Sequence, residues 1–108
     1  MANTFKNALS KDVGTTATTV YTCPTATQTT VIGFSISNTT ASPITCNAFV
    51  TASSVEYYLV KNAYIPVGGA IVIVGGDQKL VLTAGHLLKA NTSSPAGGDA
   101  VCSLLEIT

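Results

Sequence analysis

The sequence predicts an all-β protein: an antiparallel β-sandwich, immunoglobulin-like or jelly-roll, of about eight strands with an extended N-terminal arm. Three observations lead there. Threonine occurs 17 times in 108 residues, and together with Val and Ile it supplies β-branched side chains that are stiff about χ1 and suit a pleated sheet. No long window carries apolar residues at the helical period of 3.6. Short alternating or apolar runs instead recur between turn residues at spacings of roughly eight to twelve, the rhythm of a sandwich.

Taken in order, residues 1–19 are polar and Thr-rich, with Phe5, Leu9 and Val13 four apart. That spacing suits a short helical stripe, which Gly14 and the threonines after it would cut off. The segment is too poor in apolar residues to support a core, so it is expected to be an arm that orders on binding, with Phe5 and Leu9 as anchors. Residues 20–108 form the sandwich domain. A first strand over 19–23 ends at Pro24, which cannot donate to a ladder. A second runs over 28–38, where Ile32, Phe34 and Ile36 alternate with Gly33, Ser35 and Ser37, giving one buried and one polar face. Residues 38–43 turn the chain, and strands over 44–51 and 55–61 make a hairpin across the small residues Ala52, Ser53 and Ser54.

Residues 63–66 read as a brief edge segment and 67–69 as a turn. The run 70–74 is apolar on both faces, and Gly75, Gly76 and Asp77 lead into a strand over 78–82. A further strand covers 86–90, 91–98 is a loop, and 100–107 closes the domain. The expected core is Ile32, Phe34, Ile36, Val50, Leu59, Ile73, Leu82, Leu88 and Leu105.

Composition bounds the function. Only 10 residues are charged, five Lys and five Asp or Glu, and Arg is absent, whereas an ordinary soluble domain carries about 25% charged residues. A solitary monomer would have a poorly charged surface and no net charge to keep copies apart. Other protein is therefore expected to cover much of the surface, which favours an assembly role over an enzyme. With no basic stripe to displace phosphate counterions, direct nucleic-acid binding is not expected. No apolar run approaches the roughly 18 to 20 residues of a membrane span and no secretory h-region is visible, so neither membrane insertion nor secretion is expected.

Candidate chemistry is sparse. Cys23, Cys46 and Cys102 are widely spaced, lack a CxxC pair, and read as buried thiols, with a single disulfide after release into an oxidising medium as the alternative. The five acids are scattered and the lone His86 sits beside Gly85, so no catalytic residue is assigned. No metal motif is present and no cofactor is expected. The Gly-Gly-Asp runs at 75–77 and 97–99 read as turns rather than ion sites. Tyr57 and Tyr58 are adjacent in a strand and must point to opposite faces. Tyr58 and Tyr64 are the candidates for a subunit contact, where tyrosine is enriched.

Several segments carry a resemblance: 58–63, 65–69, the Gly75-Gly76-Asp77-Gln78-Lys79 turn with Leu80, Val81 and Leu82, the Ala84-Gly85 pair with 86–89, and 103–107, after an opening Val20-Tyr21-Thr22 strand. Together they resemble a family of small tailed-bacteriophage virion structural proteins. His86 stands where that family usually has an acid. The resemblance implies a capsid decoration or cement protein made in the host cytoplasm and carried in the virion. It implies a homo-oligomer, with a trimer favoured, whose partner is the major capsid protein or another virion protein. A tail, neck or fibre component is the alternative, and a host-surface glycan-binding module a further one.

Overall fold

The computed structural model of the chain describes residues 2–108. Among them the secondary structure is entirely β, in nine strands: β1 (Asn3–Val13), β2 (Thr18–Thr22), β3 (Gln28–Asn38), β4 (Ile44–Ala52), β5 (Val55–Ile65), β6 (Ala70–Val74), β7 (Leu80–Leu82), β8 (Leu87–Thr92) and β9 (Gly98–Ile107). One sheet has the order β1-β9-β3-β6, with β7 also pairing β3, and the other the order β2-β8-β4-β5. All pairings are antiparallel and nested: β1 with β9, β2 with β8, β3 with β6 and β7, β4 with β5. The chain is thus one long hairpin, folded at the β4 to β5 turn and rolled until β9 meets β3 and β8 meets β4. That is jelly-roll order. An immunoglobulin-like sandwich places its strands differently.

The hairpin expected at Ala52 is the centre of the roll. Ala52 pairs with Val55, and Ser53 and Ser54 between them both have positive φ, 52° and 64°. Two left-handed residues in a two-residue loop match the right-handed twist of the flanking strands. The core lies between the sheets. Phe34, Ile36, Leu82 and Leu104 from the first, with Ile44, Cys46, Ile65 and Leu88 from the second, are each at most 4% exposed.

The described part of the expected arm, residues 2–19, departs from expectation. Residues 3–13 are neither arm nor helix but the edge strand of the first sheet, paired with β9 from Asn3 opposite Ile107 to Val13 opposite Gly98. Met1 lies outside the described residues. Spacing four suits one face of a strand as well as a helical stripe, so it did not discriminate; Phe5 and Leu9 share the outer face, while the bulge between Ser10 and Val13 turns Val13 into the core. The strand needs no core of its own because β9 supplies its ladder. Both ion pairs among the described residues join it to β9: Lys6 to Glu106 and Lys11 to Asp99, each at 3.0 Å.

Within the expected core, Phe34, Ile36, Val50, Leu82 and Leu88 are buried, while Leu59 and Ile73 are partly buried against it. Ile32 is instead exposed and Leu105 only half-buried. The cause at Ile32 is a bulge in β3 between Val31 and Gly33. It puts Val31 and Phe34, three apart, on the inner face, so simple alternation fails at Ile32. Leu105 lies between the inward Leu104 and Glu106, and the period of two therefore sends it outward. The segment 63–66 is no separate element, since β5 continues to Ile65 through a bulge opposite β4, with Asn62 at φ 54°.

Asn38, at the end of β3, is 5% exposed and organises the turn that follows. Its Nδ2 donates to the carbonyls of Ser42 and Ile65 at 2.9 and 3.1 Å, and its Oδ1 accepts from the Thr40 amide at 2.8 Å. One side chain thereby ties the β3 to β4 turn to the end of β5.

Candidate functional site

The polar interior has a structural character. Tyr21 on β2 donates to Glu106 Oε2 at 2.6 Å, and its oxygen lies 2.8 Å from Thr29 Oγ1. With the Tyr21 proton given to the carboxylate, the Thr29 hydroxyl donates to Tyr21. Lys6 closes the group on Glu106 Oε1. The Tyr21 hydrogen bond, followed by Lys6, holds the Glu106 carboxyl below its ordinary pKa. Burial and then Glu106 raise that of Tyr21. Every member is engaged, so the cluster pins the two sheets together.

Cys23, Cys46 and Cys102 are free and buried. Burial pushes the Cys102 thiol up to about 11 and raises Cys46 as well, which keeps both protonated and unreactive at neutral pH. His86 closes a turn in which its Nδ1 accepts from the Thr83 amide at 3.3 Å. Among the described residues no three His, Cys, Asp or Glu side chains converge as metal ligands.

The outer faces of the sheets differ sharply in charge. On the first sheet, cross-strand register places Phe5, Leu105, Thr30 and Val81 in one row and Leu9, Val101, Ser35 and Val72 in another. Asn7 and Ser103 pair between the rows, beside the bulged Ile32. Six of these side chains are exposed large hydrophobics: Phe5 76%, Leu9 65%, Ile32 36%, Val72 69%, Val81 62% and Val101 46%. No position in either row or between them is ionisable. Charges border the rows in neutralised pairs: Lys6, which lines the groove beside Phe5 and Ile32, is held by Glu106, and Lys11 is held at one end by Asp99, whose carboxylate also accepts from the Asp12 amide at 3.1 Å. That amide and Lys11 lower the Asp99 pKa, and Asp99 raises that of Lys11. Shallow grooves run along this face past Phe5 and Ile32 and past Leu9 and Val101.

The second sheet's outer face is polar and charged. One row reads Thr19, Lys89, Phe49 and Tyr58, and another Thr22, Leu87, Thr51 and Glu56. Tyr58 packs on Phe49 with ring centroids 5.0 Å apart, and the Lys61 ammonium stands 4.9 Å over the Tyr58 ring. Asn47 donates to Asn91 at 3.0 Å and accepts from the Asn62 amide, while Asn91 donates to the Thr15 carbonyl. These amides tie β4 to β5, to β8 and to the segment before β2.

Of the four expected contact residues, Phe5 and Leu9 lie together on the charge-free face. Tyr58 and Tyr64, 44% and 64% exposed, lie together on β5 of the opposite sheet. No single flat contact unites the two pairs. Sequence reasoning missed Val72, Val81, Val101 and Ile32 as surface residues. A signal existed for Val72, because the run 70–74 is apolar on both faces, and an edge strand of that kind exposes half of its apolar side chains unless something covers them.

No protein-family model, no curated protein and no solved structure matches this chain.

Proposed function

We propose that this chain is a non-enzymatic structural protein of a bacteriophage virion, a capsid decoration protein that binds and stabilises the major capsid shell. The observation that carries the assembly role is the charge-free outer face of the β1-β9-β3-β6 sheet, with six large apolar side chains exposed on it. Contiguous exposed apolar surface of this kind marks a site of protein contact. The jelly roll is an architecture that capsid proteins use, an analogy at the level of fold alone. The phage assignment rests on the resemblance carried by the turn at 75–79 and the segments around it.

Copy number on purified particles tests the reading. Hundreds of copies per particle identify a shell component. A few copies, or a few dozen, place the chain in the neck, tail or fibre instead, and none at all removes the virion reading.

A further inference from the structure

We infer that the charge-free face is covered by the same face of a second copy, forming a two-fold dimer; this rests on the reading of that face as an assembly surface. Charge decides the occupant. A ring of three or more copies needs two different complementary patches, one on each side of the subunit, whereas a two-fold contact uses one patch twice. The other broad face, presented by β2-β8-β4-β5, carries Lys61, Lys89 and Glu56 beside Tyr58. Seating it on the apolar rows would strip water from those charges with nothing opposite to pair them. Placed against itself, this face buries Leu9, Val72 and Val101 against their like, and it brings in no unpaired charge, since the bordering Lys6 is already held by Glu106. Lys11 and Asp99, already paired at 3.0 Å, form a rim that is neutral on both copies.

The size is adequate. Strand β9 has ten residues, and at about 3.3 Å per residue, with neighbouring strands about 4.8 Å apart, the four-strand face covers roughly 600 Å². Two such faces bury roughly 1,200 Å², the lower end of the range for specific dimers. Packing of one sheet face on another, about 10 Å apart, repeats the geometry that builds each sandwich core.

Sedimentation velocity of the full chain, across concentration and salt, tests the inference. A dimer at micromolar concentration that persists in high salt is expected, because there is little ionic attraction to screen. Val72→Asp should weaken it by roughly 100-fold or more by placing a charge in the seam. Leu9→Asp serves in its place if Val72→Asp lowers the unfolding midpoint. Tyr64→Asp, on the opposite sheet, should leave the dimer intact. A wild type that stays monomeric, a trimer, or dissociation by Tyr64→Asp alone overturns the inference. A monomer that still decorates particles removes the dimer and spares the proposed function; a Val72-sensitive dimer found on no particle does the reverse.

Discussion

Tyr21 and Glu106 are joined by a 2.6 Å hydrogen bond that crosses from one sheet of the roll to the other. Glu106 also takes the ammonium of Lys6, so one carboxylate fixes β9 to β2 across the sandwich and to β1 along the sheet. Asp99 repeats the second role at the other end of β9, binding Lys11 and the Asp12 amide. A chain with so few charges spends four of them holding its N-terminal strand.

Acid should therefore loosen the fold. The folded pKa of Glu106 is depressed, by Tyr21 first and Lys6 second, and that of Asp99 is depressed by the Asp12 amide and Lys11. Depressed carboxyl groups contribute stability that is fully present above their unfolded pKa and lost as pH falls through the folded one. The unfolding midpoint should decline below the ordinary carboxylate range. Glu106→Gln should lower stability at neutral pH and flatten that decline, with Asp99 supplying what remains of it. Thermal unfolding of both proteins across an acid series checks this, and an unchanged acid slope in the variant would refute the pin.

Deleting residues 2–13 should not be benign. An arm would leave the domain intact, but removal of β1 opens the ladder edge of β9 along its length and takes away Val13, which is 1% exposed. An unpaired long edge invites pairing with other chains. The truncated protein is expected to unfold at a lower temperature and to aggregate, as read by calorimetry and light scattering. A stable, soluble truncation would restore the arm.

Phe34→Ala should cost about 3 to 5 kcal/mol, since Phe34 is 1% exposed within the core. Ile32→Ala, two residues earlier but on the outer side of the bulge, should cost under about 1 kcal/mol. Chemical denaturation of the pair measures the parity break directly. Equal losses at the two sites would mean that the bulge is misplaced.

The contrast between those neighbours marks how far the sequence could be read. β-branched content, the turn residues and alternation in 34–38 were sufficient for the fold class and for strands β3, β4 and β6. Alternation cannot register a bulge, because Val31, Ile32 and Phe34 are all apolar and either parity suits them. Nor could it place β1, whose partner β9 lies at the other end of the chain. Phe5 and Leu9 could be picked out as candidate contact residues, and both are exposed, but not that Val101 and Val72 continue the row of Leu9, since that neighbourhood depends on strand order. Asn38 looked like a turn residue, and only the fold brings the Ile65 carbonyl to it.

The turn at Ser53 and Ser54 offers a route to a more stable protein. Both residues hold left-handed backbone, which costs an ordinary L-residue about 1 to 2 kcal/mol and costs glycine little. Asn followed by Gly is the preferred pair for this two-residue turn. The double variant Ser53→Asn, Ser54→Gly should therefore gain about 1 kcal/mol, reduced by the extra freedom glycine gives the unfolded chain. The turn also closes the most local pairing of the roll, β4 with β5, while β1 and β9 meet only across almost the whole sequence. Local pairings pay the least loop-closure entropy and are the ones available early in folding. The gain should consequently appear in the refolding limb of a denaturant chevron, with the unfolding rate little changed. A gain confined to the unfolding limb would mean that the roll nucleates elsewhere.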